Sequence, residues 1–210
     1  MAPNTTKKFA DLVPSPRVQH IYAEDEIPPP PGLRKESSDD LSTADLPVDR
    51  YFSYEWHRLE VEQVWKKTWQ FVCREEEIPN AGDFVVYDIV DDSVIVLRKD
   101  SGEIVAYVNA CLHRSTTLVD ACGNVDKFVC PYHGWQYDRN GKLGFVPGEW
   151  DFSHLDLEDM TLPKVKIDFW SGFVFINLDD NCRSLNEYVG ILPDHLDAFG
   201  LKDRYKAVHV

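Results

Sequence analysis

From Ser53 onward the apolar positions recur with a helical spacing. Val61, Val64, Trp65 and Thr68 stand at i, i+3, i+4 and i+7, with Trp69 beside them. Ser53 supplies an N-cap and Glu55 an acidic first turn. This stretch predicts a core-facing helix. Beyond Pro79 the period falls to two or the runs become short and apolar: FVVYDI (84–89), SVIVLR (93–98), IVAYVN (104–109), KFVC (127–130), WQYD (135–138), KVKI (164–167) and GFVFINL (172–178). Turn signals separate them at Asp91-Asp92, Ser101-Gly102, Gly123-Asn124 and Asn140-Gly141, the last a strong hairpin signal. Short strands with no helix between them predict a mainly β, antiparallel assembly. A short helical stretch is expected around Leu185 to Phe199, and no internal repeat is visible.

The pattern changes near residue 47. Eight of the 13 prolines lie in the first 47 residues, but only two of the aromatics, Phe9 and Tyr22. The run EDEIPPPPGLRKESSDD is charged and poor in core formers, so residues 1–46 are expected to form a disordered or linker tail. Pro28 to Pro31 suit a polyproline docking segment, although a lone four-proline run reads more simply as linker. The β-domain with its flanking helices is then expected over 47–200, with 201–210 standing apart at the C-terminal end.

Charge narrows the partners. Lys and Arg number 22 against 36 Asp and Glu, a formal charge of −14. Nucleic acid and anionic membrane both demand a basic face, so neither is expected as a partner. No run approaches the length of apolar residues that a membrane span requires, and the N-terminus lacks the apolar stretch of a secretory signal, which points to a cytoplasmic protein. Five cysteines make an odd count with no disulfide-framework spacing.

The chemistry lies between the predicted strands. CLHR occupies Cys111 to Arg114, and 16 residues separate His113 from Cys130, which opens CPYHGW. Two Cys and two His in two loops suggest a metal site, with tetrahedral zinc as the first candidate. Zinc ribbons and fingers usually pair Cys with Cys and His with His. Here each loop offers one thiolate and one imidazole, which suits a two-iron cluster with cysteines on one iron and histidines on the other.

At this point the sequence resembles the Rieske [2Fe–2S] proteins, whose signature is C-x-H, a spacer, then C-x-x-H. The spacer and flanks resemble one branch, the α-subunits of Rieske non-haem iron oxygenases (aromatic ring-hydroxylating dioxygenases). Cys111 to Arg114 match its C-x-H-R, and Cys130 to Tyr137 match its C-P-Y-H-G-W-x-Y. RYFSYEWHRLEVEQVWKKTWQ and SGFVFINLD also look like this branch, so the resemblance runs from about Arg50 to the C-terminus. It implies that Cys111, His113, Cys130 and His133 hold a Rieske [2Fe–2S] cluster, with Arg114, Gly134 and Trp135 around it. Gly134 would let the backbone pass close to the cluster and offer its amide to a sulfide, and Trp135 would shield it or simply pack in the core. Neutral imidazoles in place of two thiolates raise the potential into roughly the −150 to +300 mV range. The respiratory relatives carry an extra cysteine in each loop, where this chain has other residues, so the lower part of that range is implied.

In the family a larger C-terminal domain carries a mononuclear Fe(II) on two histidines and a carboxylate. The nearest match, Asp151-Phe-Ser-His154, has Asp159 and Met160 where the second histidine should stand. No catalytic residue is therefore assigned in this chain, and 201–210 resemble the start of that absent domain. The resemblance implies electron transfer as the N-terminal part of a ring-hydroxylating or mono-oxygenating enzyme. It also implies a reductase or ferredoxin as donor, the catalytic domain of the same or a neighbouring subunit as acceptor, and a homo-oligomer. A free-standing ferredoxin-like carrier and a zinc-stabilised module are the alternatives. Cys73, Cys122 and Cys182 read as plain thiols, and His20, His57 and His154 as surface or satisfied core groups. Asp151, Asp156, Glu158 and Asp159 read as a solvated face, or as a docking site for a basic redox partner.

Overall fold

The computed structural model describes residues 16–24, 26, 45–153 and 156–207. The chain divides into two units, Met1–Val48 and Asp49–Val210. In the first, helix α1 spans Pro16–Glu24, a helix not anticipated from the sequence. Pro16 is tolerated in that first turn because no N–H is needed there. The polyproline run Pro28 to Pro31 and most of the expected tail lie outside the described residues.

In the second unit, α2 spans Tyr54–Glu60 and widens into a π turn over Val61–Trp65. Among the described residues ten strands follow: β1 Gln70–Arg74, β2 Asp83–Ile89, β3 Asp92–Arg98, β4 Ile104–Val108, β5 Gly123–Asn124, β6 Phe128–Val129, β7 Gln136–Tyr137, β8 Leu143–Phe145, β9 Lys164–Trp170 and β10 Phe173–Asn177. Seven make one sheet in the order β1-β10-β9-β4-β3-β2-β5, and β6-β7-β8 make a second. Every pairing is antiparallel, as expected. Helices α3 Leu185–Val189 and α4 Leu192–Leu196 follow, in the stretch read as helical. Helix α3 opens on a capping box in which Ser184 and Glu187 exchange hydrogen bonds. Among the described residues no helix is long and apolar enough to cross a membrane.

Strand β3 explains the unbroken apolar run SVIVLR. Ile95 and Leu97 pack with Tyr107, Phe128, Trp135, Tyr137 and Leu143 towards the small sheet. Val94 and Val96 point the other way, against Cys73, Ile78, Ala106, Val174 and Ile176. Both faces are covered, so alternation disappears. The hairpin at Asn140-Gly141 joins β7 to β8. Gly141 has φ +76°, and a Cβ there would stand 2.8 Å from the Tyr107 ring, so the turn requires glycine on two counts. Between β2 and β3 the two-residue turn is Val90-Asp91, with Ile89 facing Asp92 and Val90 held at φ 56°.

One expectation fails. The stripe Val61, Val64, Trp65 does not face the core: Val64 is 47% and Trp65 43% exposed, and neither α2 nor the π turn buries any residue. The stripe assumed 3.6 residues per turn throughout. The amide of Lys66 instead reaches back five residues to the Val61 carbonyl at 3.0 Å, which shifts the register. Trp69 is buried, just before β1, with its indole donating to the Arg183 carbonyl at 3.0 Å.

Candidate metal centre

Two loops at one end of the sheets carry the four candidate ligands. The first leaves β4 at Asn109, and the second links β6 to β7. Their backbone frames match. In the first, the Cys111 amide donates to the Thr116 carbonyl (2.9 Å), and the Ser115 amide returns to the Cys111 carbonyl (2.8 Å). In the second, Cys130 donates to Trp135 (2.8 Å), and Gly134 returns to Cys130 (3.0 Å). The fifth residue of each loop turns left-handed, Ser115 at φ 55° and Gly134 at φ 74°. The Gly134 amide thus closes the second turn on the Cys130 carbonyl.

The frames place both thiols inside and both imidazoles beside each other. Cys111 and Cys130 are 2% and 3% exposed. The His113 and His133 rings lie 4.6 Å apart between centroids, edge to face. His113 is half-buried, stacked on Trp135 at 4.9 Å with 7° between planes, and met edge-on by Phe152 at 5.9 Å. His133 is exposed, and the Tyr132 ring lies over it at 3.8 Å. Trp135 is buried and Arg114 exposed.

Local electrostatics favour a metal. Burial, with the neighbouring His133 and Arg114 charges, holds the His113 imidazole below the usual histidine range. A neutral ring keeps the lone pair that a metal needs. Among the described residues, His113 Nδ1 is the single buried side-chain nitrogen or oxygen without a hydrogen-bond partner. Buried nitrogens are otherwise satisfied, so this one has the character of a ligand atom. Burial pushes the Cys111 thiol up, although a hydrogen bond from Tyr137 opposes the shift. A thiolate in that place calls for positive charge, which iron would bring. No three His, Cys, Asp or Glu among the described residues converge as they would on a single ion. Two thiols for one iron and two imidazoles for the other need no such threefold group, so these residues fit a two-iron cluster.

Two participants were given no role from the sequence, although Tyr137 closes the matched motif. The Tyr137 hydroxyl lies 3.2 Å from Cys111 Sγ and accepts from the Leu112 amide at 3.0 Å. With Cys111 as a thiolate, the hydroxyl carries the one proton between the two atoms, so Tyr137 then donates to the sulfur. Burial and the Cys111 contact raise the phenol pKa, so it stays a donor. Asn109, buried at the base of the first loop, donates to Ser93 Oγ (3.0 Å) and the Val119 carbonyl (2.6 Å). It also accepts from the Leu118 and Val119 amides (3.1 and 3.2 Å). Its position at the end of an apolar strand was the available signal. The remaining thiols stand apart: Cys73 buried, Cys182 half-buried, Cys122 exposed. His57 and Asp151 are exposed, and His154 lies outside the described residues.

The fold and the paired loops define a class. Residues 68–155 match the Rieske [2Fe–2S] domain, and this chain carries that domain. Its homologues are oxygenase subunits. It is 40% identical over 155 residues to the anthranilate 1,2-dioxygenase large subunit of Acinetobacter baylyi, covering 71% of this chain and 32% of that protein. It is 38% identical over 140 residues to the large oxygenase component of the naphthalene 1,2-dioxygenase system of Pseudomonas aeruginosa, covering 65% and 31%. Naphthalene 1,2-dioxygenase from Rhodococcus sp. superposes with a TM-score of 0.68 at 36% identity, over 73% of this chain and 36% of that one. The match thus spans about a third of each of these relatives.

Proposed function

We propose that Cys111 and Cys130 hold one iron of the [2Fe–2S] cluster as thiolates, and that His113 and His133 hold the other. The chain then serves as the electron-relay part of a ring-hydroxylating or mono-oxygenating Rieske oxygenase α-subunit. The pairing of buried thiols with facing imidazoles on matched loops, with His113 Nδ1 left unpartnered, carries this reading. When bound, the cluster supplies reversible one-electron transfer. The protein side is positional: Trp135 and Phe152 keep water from the His113 side, while the exposed His133 brings the site to the surface. The donor is a reductase or ferredoxin, and the acceptor is the mononuclear-iron domain of an oxygenase, in its own or a neighbouring subunit of a cytoplasmic homo-oligomer.

Anaerobically purified protein should contain two irons per chain and show a Rieske-type visible and EPR spectrum. Cys111→Ala and Cys130→Ala should be colourless, because Cys73, Cys122 and Cys182 lie outside the turns 111–116 and 130–135. Bound zinc in place of iron, or a coloured Cys130→Ala variant, would overturn the assignment. A reductase with reduced pyridine nucleotide should bleach the native spectrum by one electron per cluster, and failure with every ferredoxin and reductase tried would refute the relay role.

A further inference from the structure

Arg74, the last residue of β1, is only 5% exposed. Its guanidinium lies over the Phe173 ring, 4.6 Å from the centroid, and pairs with Glu76. It donates to the Leu201 carbonyl at 3.1 Å and to the Arg204 carbonyl, with that of Lys202 at 3.5 Å. These carbonyls belong to the 3₁₀ turn Leu201–Asp203 and to Arg204, which caps it; that of Leu201 also accepts from the Arg204 amide at 3.2 Å. The pocket is made by Gly172 in the β9–β10 turn, where a Cβ would stand 2.8 Å from Arg74 Nη2. Glu77 adds a second tie, accepting from the Arg74 amide at 2.9 Å and pairing with Lys206. A buried cation is retained only where it is paired and hydrogen-bonded. Here its partners come from a segment about 130 residues away in sequence.

We propose that Arg74 is a positioning residue: it latches the backbone of residues 201–204 to the edge of the main sheet. With the Glu77–Lys206 pair it fixes the direction in which the chain leaves the iron–sulfur domain. Residues 201–206 are then held at a set place on the domain that carries His113 and His133, and the use of that fixed exit rests on the relay reading above. The latch does not depend on the ligand assignment, because cluster colour and latch are read separately.

Hydrogen exchange over residues 199–206 of the full chain, loaded with its cluster, tests this. The amides of Gly200, Asp203 and Arg204 donate within the latched turns at 3.0 to 3.2 Å. In Arg74→Met this peptide should exchange about tenfold faster, with the visible spectrum and the exchange of β3 and β4 unchanged. Arg74→Lys, which keeps the charge but not the fork, should also release the segment, and Glu77→Gln should release it partly. Unchanged exchange in a coloured Arg74→Met or Arg74→Lys protein overturns the proposal. Loss of colour in both also overturns it, since Arg74 would then serve the fold of the domain itself.

Discussion

Replacing Tyr137 with phenylalanine removes one oxygen from a fully buried ring and leaves the shape intact. That oxygen lies 3.2 Å from Cys111 Sγ and 3.0 Å from the Leu112 amide nitrogen. A hydrogen bond to a charged acceptor contributes about 1.5–3 kcal/mol. With Cys111 as the proposed ligand, both redox states of the cluster would keep it as a thiolate, so only the part that grows with the added electron shifts the potential. Taking that part as about 1 kcal/mol, and one-electron tenfold steps of about 59 mV per 1.4 kcal/mol, the potential should fall by roughly 40 mV. The direction follows from charge: the phenol proton stabilises the more negative, reduced form. The Leu112 amide loses its acceptor as well, which should lower stability by about 1–3 kcal/mol. EPR-monitored redox titration of the native and Tyr137→Phe proteins would measure the shift. A potential within about 10 mV of native, or above it, in a variant with an intact spectrum would refute the reasoning, because so small a change is far below one charge-assisted bond.

Other outcomes follow from single residues. Val90 is a β-branched residue held at φ 56° in a two-residue turn, so Val90→Asn or Val90→Gly should stabilise the domain by about 1 kcal/mol, or roughly 2–4 °C in Tm; a lower Tm for both in calorimetry would contradict the strain. Burial, with Glu77 nearby, pushes the Cys73 thiol up to about 12. An unfolded thiol ionises near 8.5, so the native state binds the extra proton between these values and stability is complete below about pH 8.5. It should then fall by about 1.4 kcal/mol per pH unit up to the folded pKa, and Cys73→Val should flatten that slope in denaturant titrations at pH 8.5 to 10, whereas an equal slope would exclude Cys73 as its source. Below pH 9 a thiol reagent should modify exposed Cys122 in the native protein but reach Cys73 only on unfolding.

The strands of the sheet centre were legible because their apolar runs are bounded by turn residues, and β2, β3, β4, β9 and β10 fall where the runs predicted. Strands β1, β5 and β8 were not. Gln70–Arg74 reads as a continuation of the preceding helical stretch, and two or three residues such as Gly123–Asn124 or Leu143–Phe145 set no period. The π turn was invisible for a related reason: spacing rules assume the turn size they are used to detect. The Cys and His positions stood out because their chemistry is written into residue type and spacing. Tyr137 and Asn109 did not, since a tyrosine and an asparagine in a β-domain have many uses. Their partners, Cys111 Sγ and the loop amides, are chosen only by the fold.

The two loops share one backbone frame but differ by a single residue in where the histidine sits, third after Cys111 and fourth after Cys130 if each cysteine is counted as first. In a curve this tight, one step along the chain swings a side chain to a new bearing. One ring is turned inward against Trp135, and the other faces outward beneath Tyr132. A duplicated loop with no offset would present two equivalent faces. The one-residue difference gives the centre a front and a back, and with them a sense of direction for whatever charge passes through it.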